Sequence, residues 1–429
     1  SLGGSVALAL GDRQSRAVIG RTGDLDLLAE DVPGGIYDDT PFLFTQYADP
    51  SALRLDALTV AATSSVARRV NAVSGVETEA DALPLDLSDG LGDLNFGSEL
   101  RAAQEAELLD PVTGQQTRSA RAGLGLSGAV ASSAGRSVAT AYVGHRGTID
   151  AGRTRITGVQ RSDIRVQAGG FVEGAPHGAL AGALALDLMQ RDARTLLRGP
   201  TLTVQGALSV EALGEASVVL AAAGASDPID GLLTVAGSAA VSAGGDAATV
   251  EIGSAGIATS DPEGRFSSEQ AAAYQVTAGT RQGDPGADGR QLATFGIGAA
   301  IAVDAATARS DIQLRRYADP GPLGAAGLRP RGFVGLAATG PTGLSATNMA
   351  SSDVVARAQG ALDGAALSGS GAALSGARLA TVTLGTELLS PDDVAADATV
   401  SSVSRANAGA GTETAQTFGL SFAGSEQNF

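Results

Sequence analysis

The sequence predicts an all-β chain wound into one elongated parallel β-helix, a β-solenoid, with loop insertions and one short helix. Three observations carry that reading. In the stretch FGIGAAIAV, Phe295, Ile297, Ala299, Ile301 and Val303 alternate with Gly or Ala. Period two over such a run is a strand signal, and with neither face charged the strand is expected to be packed on both sides. The second observation is that the order of this stretch recurs down the chain. The third is composition: 44% hydrophobic but only 3% aromatic, with 59 Gly and no Trp among 429 residues. A core of Ala, Val, Leu and Ile at short distances suits stacked coils, where each layer covers the next. Collagen would need Gly at every third position, and a disordered chain would hold fewer Val, Leu and Ile.

The copies can be taken in order. The chain opens with SLGGSVALALGD, where Val6, Leu8 and Leu10 alternate, then the polar break RQSR and AVIG closing at Gly20. GLGLSGAVA at 123–131, the break SSAGRS and ATAYVG close at Gly144. GALAGALALDL at 178–188, MQRDA and RTLLRG close at Gly199, and GLLTVAGSAAV at 231–241, SAGGD and AATVEIG close at Gly253. The copy at 295–314 follows, then one from Leu367 to Gly385, and FGLSFAG at 418–424 starts another. Gly144 and Gly199 are 55 residues apart, and Gly199 and Gly253 are 54 apart. A repeat of about 55 residues lies at the upper end of solenoid periods, so each unit is expected to hold two or more coils. Coils of roughly 20 residues stacked about 4.8 Å apart predict a rod on the order of 80–100 Å long.

The second half of each unit is a polar-alternating run, as in TRITGVQRSDIRVQA at 154–168 and TLTVQGALSVEA at 201–212. Ile156, Val159, Ile164 and Val166 are expected on one face, as are Leu202, Val204, Leu208 and Val210, with Thr, Arg, Gln, Asp and Glu on the wet face. Each unit thus has a small-residue, doubly packed layer and a half-buried layer. Three insertions, 30–54, 80–119 and 315–345, break the rhythm of a single domain spanning 1–429. SELRAAQEAELL at 98–109, capped by Ser98 and stopped by Asp110-Pro111, predicts the one helix. Insertions on one face of a solenoid often form its binding loops.

Charge and cysteine content exclude whole classes. Twenty-nine basic residues, all Arg, face 46 acidic ones, a formal charge of −17. That argues against nucleic-acid binding, which needs cations against phosphate. It favours solubility and repulsion between copies. No Cys means no disulfide, thiolate metal site or Cys nucleophile. No apolar run reaches the length of a membrane span and no leader precedes the first copy, so a mature or excised segment without membrane insertion is expected.

Candidate chemistry is sparse. His145 and His177 are the only histidines and stand far apart, short of the three or four ligands zinc needs. Asp89, Asp93 and Asn95 in DGLGDLN, and Asp284 and Asp288 in GDPGADG, are weak calcium candidates: hard oxygens on Gly-bearing turns, without a full calcium-loop pattern. No other cofactor is called for. Asp163, Asp187 and Asp192 are the carboxylates that would have to converge in a polysaccharide-cleaving β-helix; outward charges that solubilise a filament are the simpler reading. Tyr37, Phe42, Phe44 and Tyr47, together with Tyr317 in a second copy of YADP, are the best partner-contact candidates, since aromatics concentrate in interface cores.

The order of small-residue strand, short polar break, AYIG-like strand and TVxA-like run resembles the repeats of very large bacterial surface proteins of the filamentous haemagglutinin type, including leukotoxin-like and autotransporter repeats. Residues 123–168 carry it most clearly, and 178–212 and 231–253 follow. The Asn usual after the first strand of such repeats is replaced here by Ser, Gln, Gly or Ala-rich breaks, so Asn ladders are not expected. The resemblance implies a right-handed parallel β-helix exported to the cell surface, with no catalytic residues.

The expected function is therefore structural and non-enzymatic: a segment of an extracellular fibre, sheath or adhesin shaft on a bacterial surface. It would stack head to tail, or continue in a longer repeat chain, through Val6, Leu8, Leu10, Phe418, Leu420 and Phe422. A host or neighbour-cell glycan or protein is the external partner such a shaft would meet. The competing readings are a polysaccharide lyase or hydrolase and a phage-type β-helical spike.

Overall fold

The computed structural model describes residues 2–19, 53–77, 124–144, 148–173, 178–198, 201–227, 233–253, 255–259, 264–283, 295–315, 336–338, 342–360, 365–384, 388–389, 394–412 and 416–425. They form two parallel sheets that the chain visits in turn. Sheet A takes β1 (Leu2–Leu10), β2 (Arg13–Ile19), β4 (Leu124–Val143), β6 (Gly178–Arg198), β9 (Leu233–Ser242), β10 (Gly245–Gly253), β13 (Phe295–Asp304), β14 (Thr307–Arg315), β17 (Ala365–Leu374), β18 (Arg378–Leu384) and β21 (Gln416–Ser425). Sheet B takes β3 (Leu53–Glu77), β5 (Thr148–Glu173), β7 (Thr201–Val204), β8 (Leu208–Asp227), β11 (Ala255–Thr259), β12 (Gly264–Gln282), β15 (Leu336–Ala338), β16 (Thr342–Gly360), β19 (Leu388–Leu389) and β20 (Val394–Thr412). Every pairing is parallel and joins one coil to the next, which makes the fold a parallel β-solenoid.

The register corrects the expected coil. Val130 lies on Leu184, Leu184 on Ala239, Ala239 on Ile301 and Ile301 on Gly371, so one 54–70-residue repeat makes one coil, not two or more. The polar breaks are not corners. In β4 and β6 the strand runs through the break without interruption, and in later coils a two- or three-residue gap separates halves of the same sheet. The seven rungs of sheet A stack over about 29 Å at the usual strand spacing, far short of the 80–100 Å rod expected from small coils. Where the break bends, glycine is required: Gly135 has φ 131°, and a Cβ there would run into the carbonyl of Gly11.

The faces are assigned by what sheet B brings inward. From sheet B come Ile164, Val166, Val218, Leu220, Tyr274 and Val276; from sheet A come Ala131, Ala185, Ala240, Ala300, Ala302 and Ala372, all in one core. Bulk from one sheet meets small residues from the other, which fills the space between them at interior density. The expectation that Phe295–Val303 is packed on both faces is therefore corrected. Gly296, Gly298, Ala300 and Ala302 face the core, while Phe295, Ile297, Ala299 and Ile301 point outward and are exposed. In sheet B Ile156, Ile164 and Val166 are buried as expected, but Val159 faces out, because an odd spacing in a strand puts it on the other side, and Thr154 and Gln160, expected on the wet face, are buried on the inner one. Leu202, Val204, Leu208 and Val210 are all buried.

A second apolar lobe joins the later halves of sheet A (Ala141, Leu197, Val250, Ile312) to the earlier half of sheet B (Ile149, Ile156, Leu202, Phe266). No helix occurs among the described residues, and the helix expected at 98–109 lies outside them. So do nearly all of 30–54 and 80–119 and most of 315–345.

Candidate functional site

Between the two apolar lobes runs a polar seam built of inward columns. Ser133, Asp187, Ser242 and Asp304 stack where each small-residue run ends, and Ser137, Arg191, Asp246, Ala308 and Arg378 stack just beyond. Arg191 is fully buried and bonds Asp187 at 2.5 Å and Asp246 at 3.3 Å. Tyr274, from the facing sheet, donates its hydroxyl to Asp246. Arg378 donates to Asp304 at 3.0 Å and to the Ser352 hydroxyl at 2.8 Å, and its guanidinium lies 4.9 Å from the Tyr274 ring centre. At the leading end, Arg68 of β3 crosses to sheet A and donates to the carbonyls of Ala9, Ala134 and Gly11.

Burial dominates the electrostatics. Desolvation holds Asp187, Asp246 and Asp304 above the usual carboxylate range, although Arg191 and Arg378 pull the other way. The same burial, with Asp246 beside it, pushes Tyr274 well above its ordinary value. Arg191 is held charged more firmly than usual because two carboxylates flank it, outweighing its own desolvation. Perturbed groups often mark active sites, but these lie sealed between two sheets. What the seam does is fix register. A slip of one residue would leave arginines and carboxylates unpaired in the interior, a cost of several kcal/mol per ion. Low-complexity Ala and Gly runs cannot supply that discrimination themselves.

The seam was missed in the sequence, although its signal is visible. Aligning the copies puts Ser133, Asp187, Ser242 and Asp304 in one column directly after the apolar alternation. The proposed carboxylate trio does not converge. Asp187 faces the core; Asp192, five residues on, faces out and pairs with Arg136 at 2.8 Å and Arg194 at 3.0 Å; Asp163 lies on the outer face of sheet B near Arg165.

The outer faces are of two kinds. Sheet B is polar outside, with Arg155–Glu211 at 3.1 Å and Arg161–Glu215 at 3.3 Å bridging neighbouring rungs. A shallow groove of about 460 Å³ opens there, lined among others by Arg161, Asp163, Glu215 and Met349. The first half of sheet A is apolar outside. One ridge stacks Leu2, Leu126, Leu180, Val235, Ile297 and Leu367; a second stacks Val6, Val130, Leu184, Ala239 and Ile301. Between them runs a furrow of Gly4, Gly128, Gly182, Gly237, Ala299 and Gly369. A Cβ added at Gly4, Gly128 or Gly182 would meet nothing within 4 Å.

The predicted end-to-end residues lie on the end strands. Val6, Leu8 and Leu10 sit on β1, which among the described residues pairs only with β4; Phe418, Leu420 and Phe422 sit on β21, which among them pairs only with β17. The side chains of Val6, Leu8 and Leu10 stand outward on the wall, so along the axis β1 offers its backbone edge rather than these groups. The end rungs also uncover core positions. Ala7 is only partly buried where Ala131, on the next rung, is fully buried; likewise Ala406 and Ala408 of β20 against Val354 and Ala356 of β16. β3 differs, its inward Val66 and Val70 being buried.

The partner-contact residues Tyr37, Phe42, Phe44, Tyr47 and Tyr317, the calcium candidates Asp89, Asp93, Asn95, Asp284 and Asp288, and His145 and His177 all lie outside the described residues. Among the described residues no three His, Asp or Glu side chains group to hold a metal, and no helix is long and apolar enough to cross a membrane.

No protein-family model matches the chain, and neither does any curated protein or solved structure.

Proposed function

We propose that the chain is a structural, non-enzymatic segment of an extracellular fibre, sheath or adhesin shaft on a bacterial surface. It extends along the solenoid axis, either by stacking with another copy or through further rungs of the same repeat. The observation that carries this reading is the state of the end rungs. β1 and β20 have strand partners on one side only among the described residues, and their inward alanines are partly uncovered where those one rung deeper are sealed. An uncapped rung of this kind is a template for another. The acidic surface keeps such an object soluble, and the groove on sheet B is where a glycan or protein of a neighbouring cell would be met.

Electron microscopy of the full chain tests the reading. Rods whose length grows with concentration are expected, and discrete single particles at every concentration would overturn it. A polysaccharide lyase or hydrolase draws no support from Asp163, Asp187 and Asp192, which stand on three different faces. Turnover of an acidic or neutral glycan, abolished by Asp163→Asn in the sheet B groove, would reverse that judgement. A phage-type spike would instead show a trimeric mass in solution.

A further inference from the structure

We propose that the apolar outer wall of sheet A pairs with the same wall of a second copy, side by side, with the two solenoid axes aligned. The inference stands apart from growth along the axis and does not depend on it. Ten residues of strand by six rungs give a wall of about 33 by 24 Å, or roughly 800 Å². That exceeds the several hundred Å² of a typical largest apolar patch and matches the about 800 Å² each partner contributes to a standard interface.

Charge names the occupant. The chain carries −17, and its other described faces present carboxylates and guanidiniums. The outward positions of β1, β9, β13 and the first ten residues of β4 and β6, which make this wall, carry no charge, and Ser132 is their sole polar side chain. Two copies therefore meet here without bringing like charges together. An anionic lipid surface would call for an excess of basic residues and an aromatic belt, which a Lys-free chain of −17 with 3% aromatic residues does not offer.

Shape agrees. The ridges stand about 13 Å apart, four residues of strand, with the glycine furrow between them. Nothing in the protomer forbids a larger residue at Gly4, Gly128 or Gly182, since each faces open space. A ridge of the partner, repeating at the same rung spacing, fills that furrow in the aligned packing of two sheets about 10 Å apart. The contact is self-complementary, as a two-fold interface must be.

Sedimentation of the full chain tests it. A concentration-dependent dimer is expected, and Gly182→Glu should weaken it by about a hundredfold or more, because each dimer then buries two unpaired charges. The protomer keeps its fold, since the new side chain enters open space. The chain has no Cys, so a short bis-maleimide should cross-link Gly182→Cys into dimers and leave Ser217→Cys, on the outer face of sheet B, uncoupled. Rods formed by Gly182→Glu should persist at single width, which separates lateral pairing from axial growth. Four outcomes would overturn the proposal. One is a species that never pairs laterally at any concentration, and another is pairing untouched by Gly182→Glu. The third is capture by phosphatidylcholine vesicles in place of pairing, which would make lipid the occupant. The last is a thiol at Gly182→Cys that maleimide cannot reach in the monomer, which would mean the chain covers its own wall.

Discussion

The two outer walls of this solenoid are built by the same alternation and end in opposite chemistry. On sheet B the residues pointing out are mostly Arg, Glu, Asp, Ser and Thr, and the bulky ones pointing in are Val, Ile, Leu and Tyr. On the first half of sheet A the order is inverted: Ala and Gly point in, and Leu, Ile, Val and Phe point out. Hydrophobicity alone does not place a strand face inside. The space between the sheets is fixed, so once sheet B fills it with bulk only small residues fit opposite. The larger apolar face of sheet A is then left outside, where it is available to a partner.

Substitutions break or sharpen that contrast in a definite order. The largest effect belongs to the seam that holds the two faces in register. Arg191→Met strands Asp187 and Asp246 and should cost about 3–5 kcal/mol in denaturant titration. A linked prediction concerns pH. The folded-state carboxyls of Asp187, Asp246 and Asp304 lie above the ordinary 3.8, so the folded state binds protons more tightly than the unfolded one. Their contribution is most favourable below 3.8 and is lost as pH rises from there through the raised values. Between neutral pH and that window, acidification should raise the thermal midpoint relative to Asp246→Asn, which removes one of the three groups; an identical pH profile for the two proteins would count against the assignment.

Next come the two inner faces. Ile164→Ala empties the bulky side and should cost about 2–5 kcal/mol. Ala302→Leu overfills the small side and should cost about 1–3 kcal/mol. Comparable losses from opposite changes in volume would confirm that the two faces are fitted to each other. On the outer walls the effect on folding shrinks. Ile301→Ser should shift protomer stability by less than about 1 kcal/mol while weakening lateral pairing in sedimentation. Arg161→Ala, which breaks an exposed pair with Glu215, should change stability by about 0.5 kcal/mol or less and leave pairing intact.

Much of this was legible in the sequence. The alternation in FGIGAAIAV, the 54–55-residue recurrence and the wet face of 154–168 gave the strands, the stacking and the outer face of sheet B. The coil was harder to read. SSAGRS and MQRDA look like turns, yet Gly135 merely bends a strand and Arg191 continues one, facing inward. A polar residue in an apolar repeat reads as a corner unless its partners are known, and beside the local Asp187 Arg191 has a partner, Asp246, 55 residues downstream, which is in turn bonded by Tyr274 on the other sheet. The residues proposed for end-to-end contact sit on β1 and β21, but Val6, Leu8 and Leu10 point off the axis, because side chains stand perpendicular to the sheet that the backbone extends.

The sequence by itself determined that this chain is a parallel β-solenoid. Period two and a repeat that can bury its faces only by stacking are local properties, written in each copy. Tertiary structure alone decided that one repeat is one coil, that the small face of sheet A is the inner one, and that Asp187, Arg191, Asp246 and Tyr274 form one buried network. Each of those depends on what lies across the interior, and the residues across the interior come from the other half of the repeat or from the next coil.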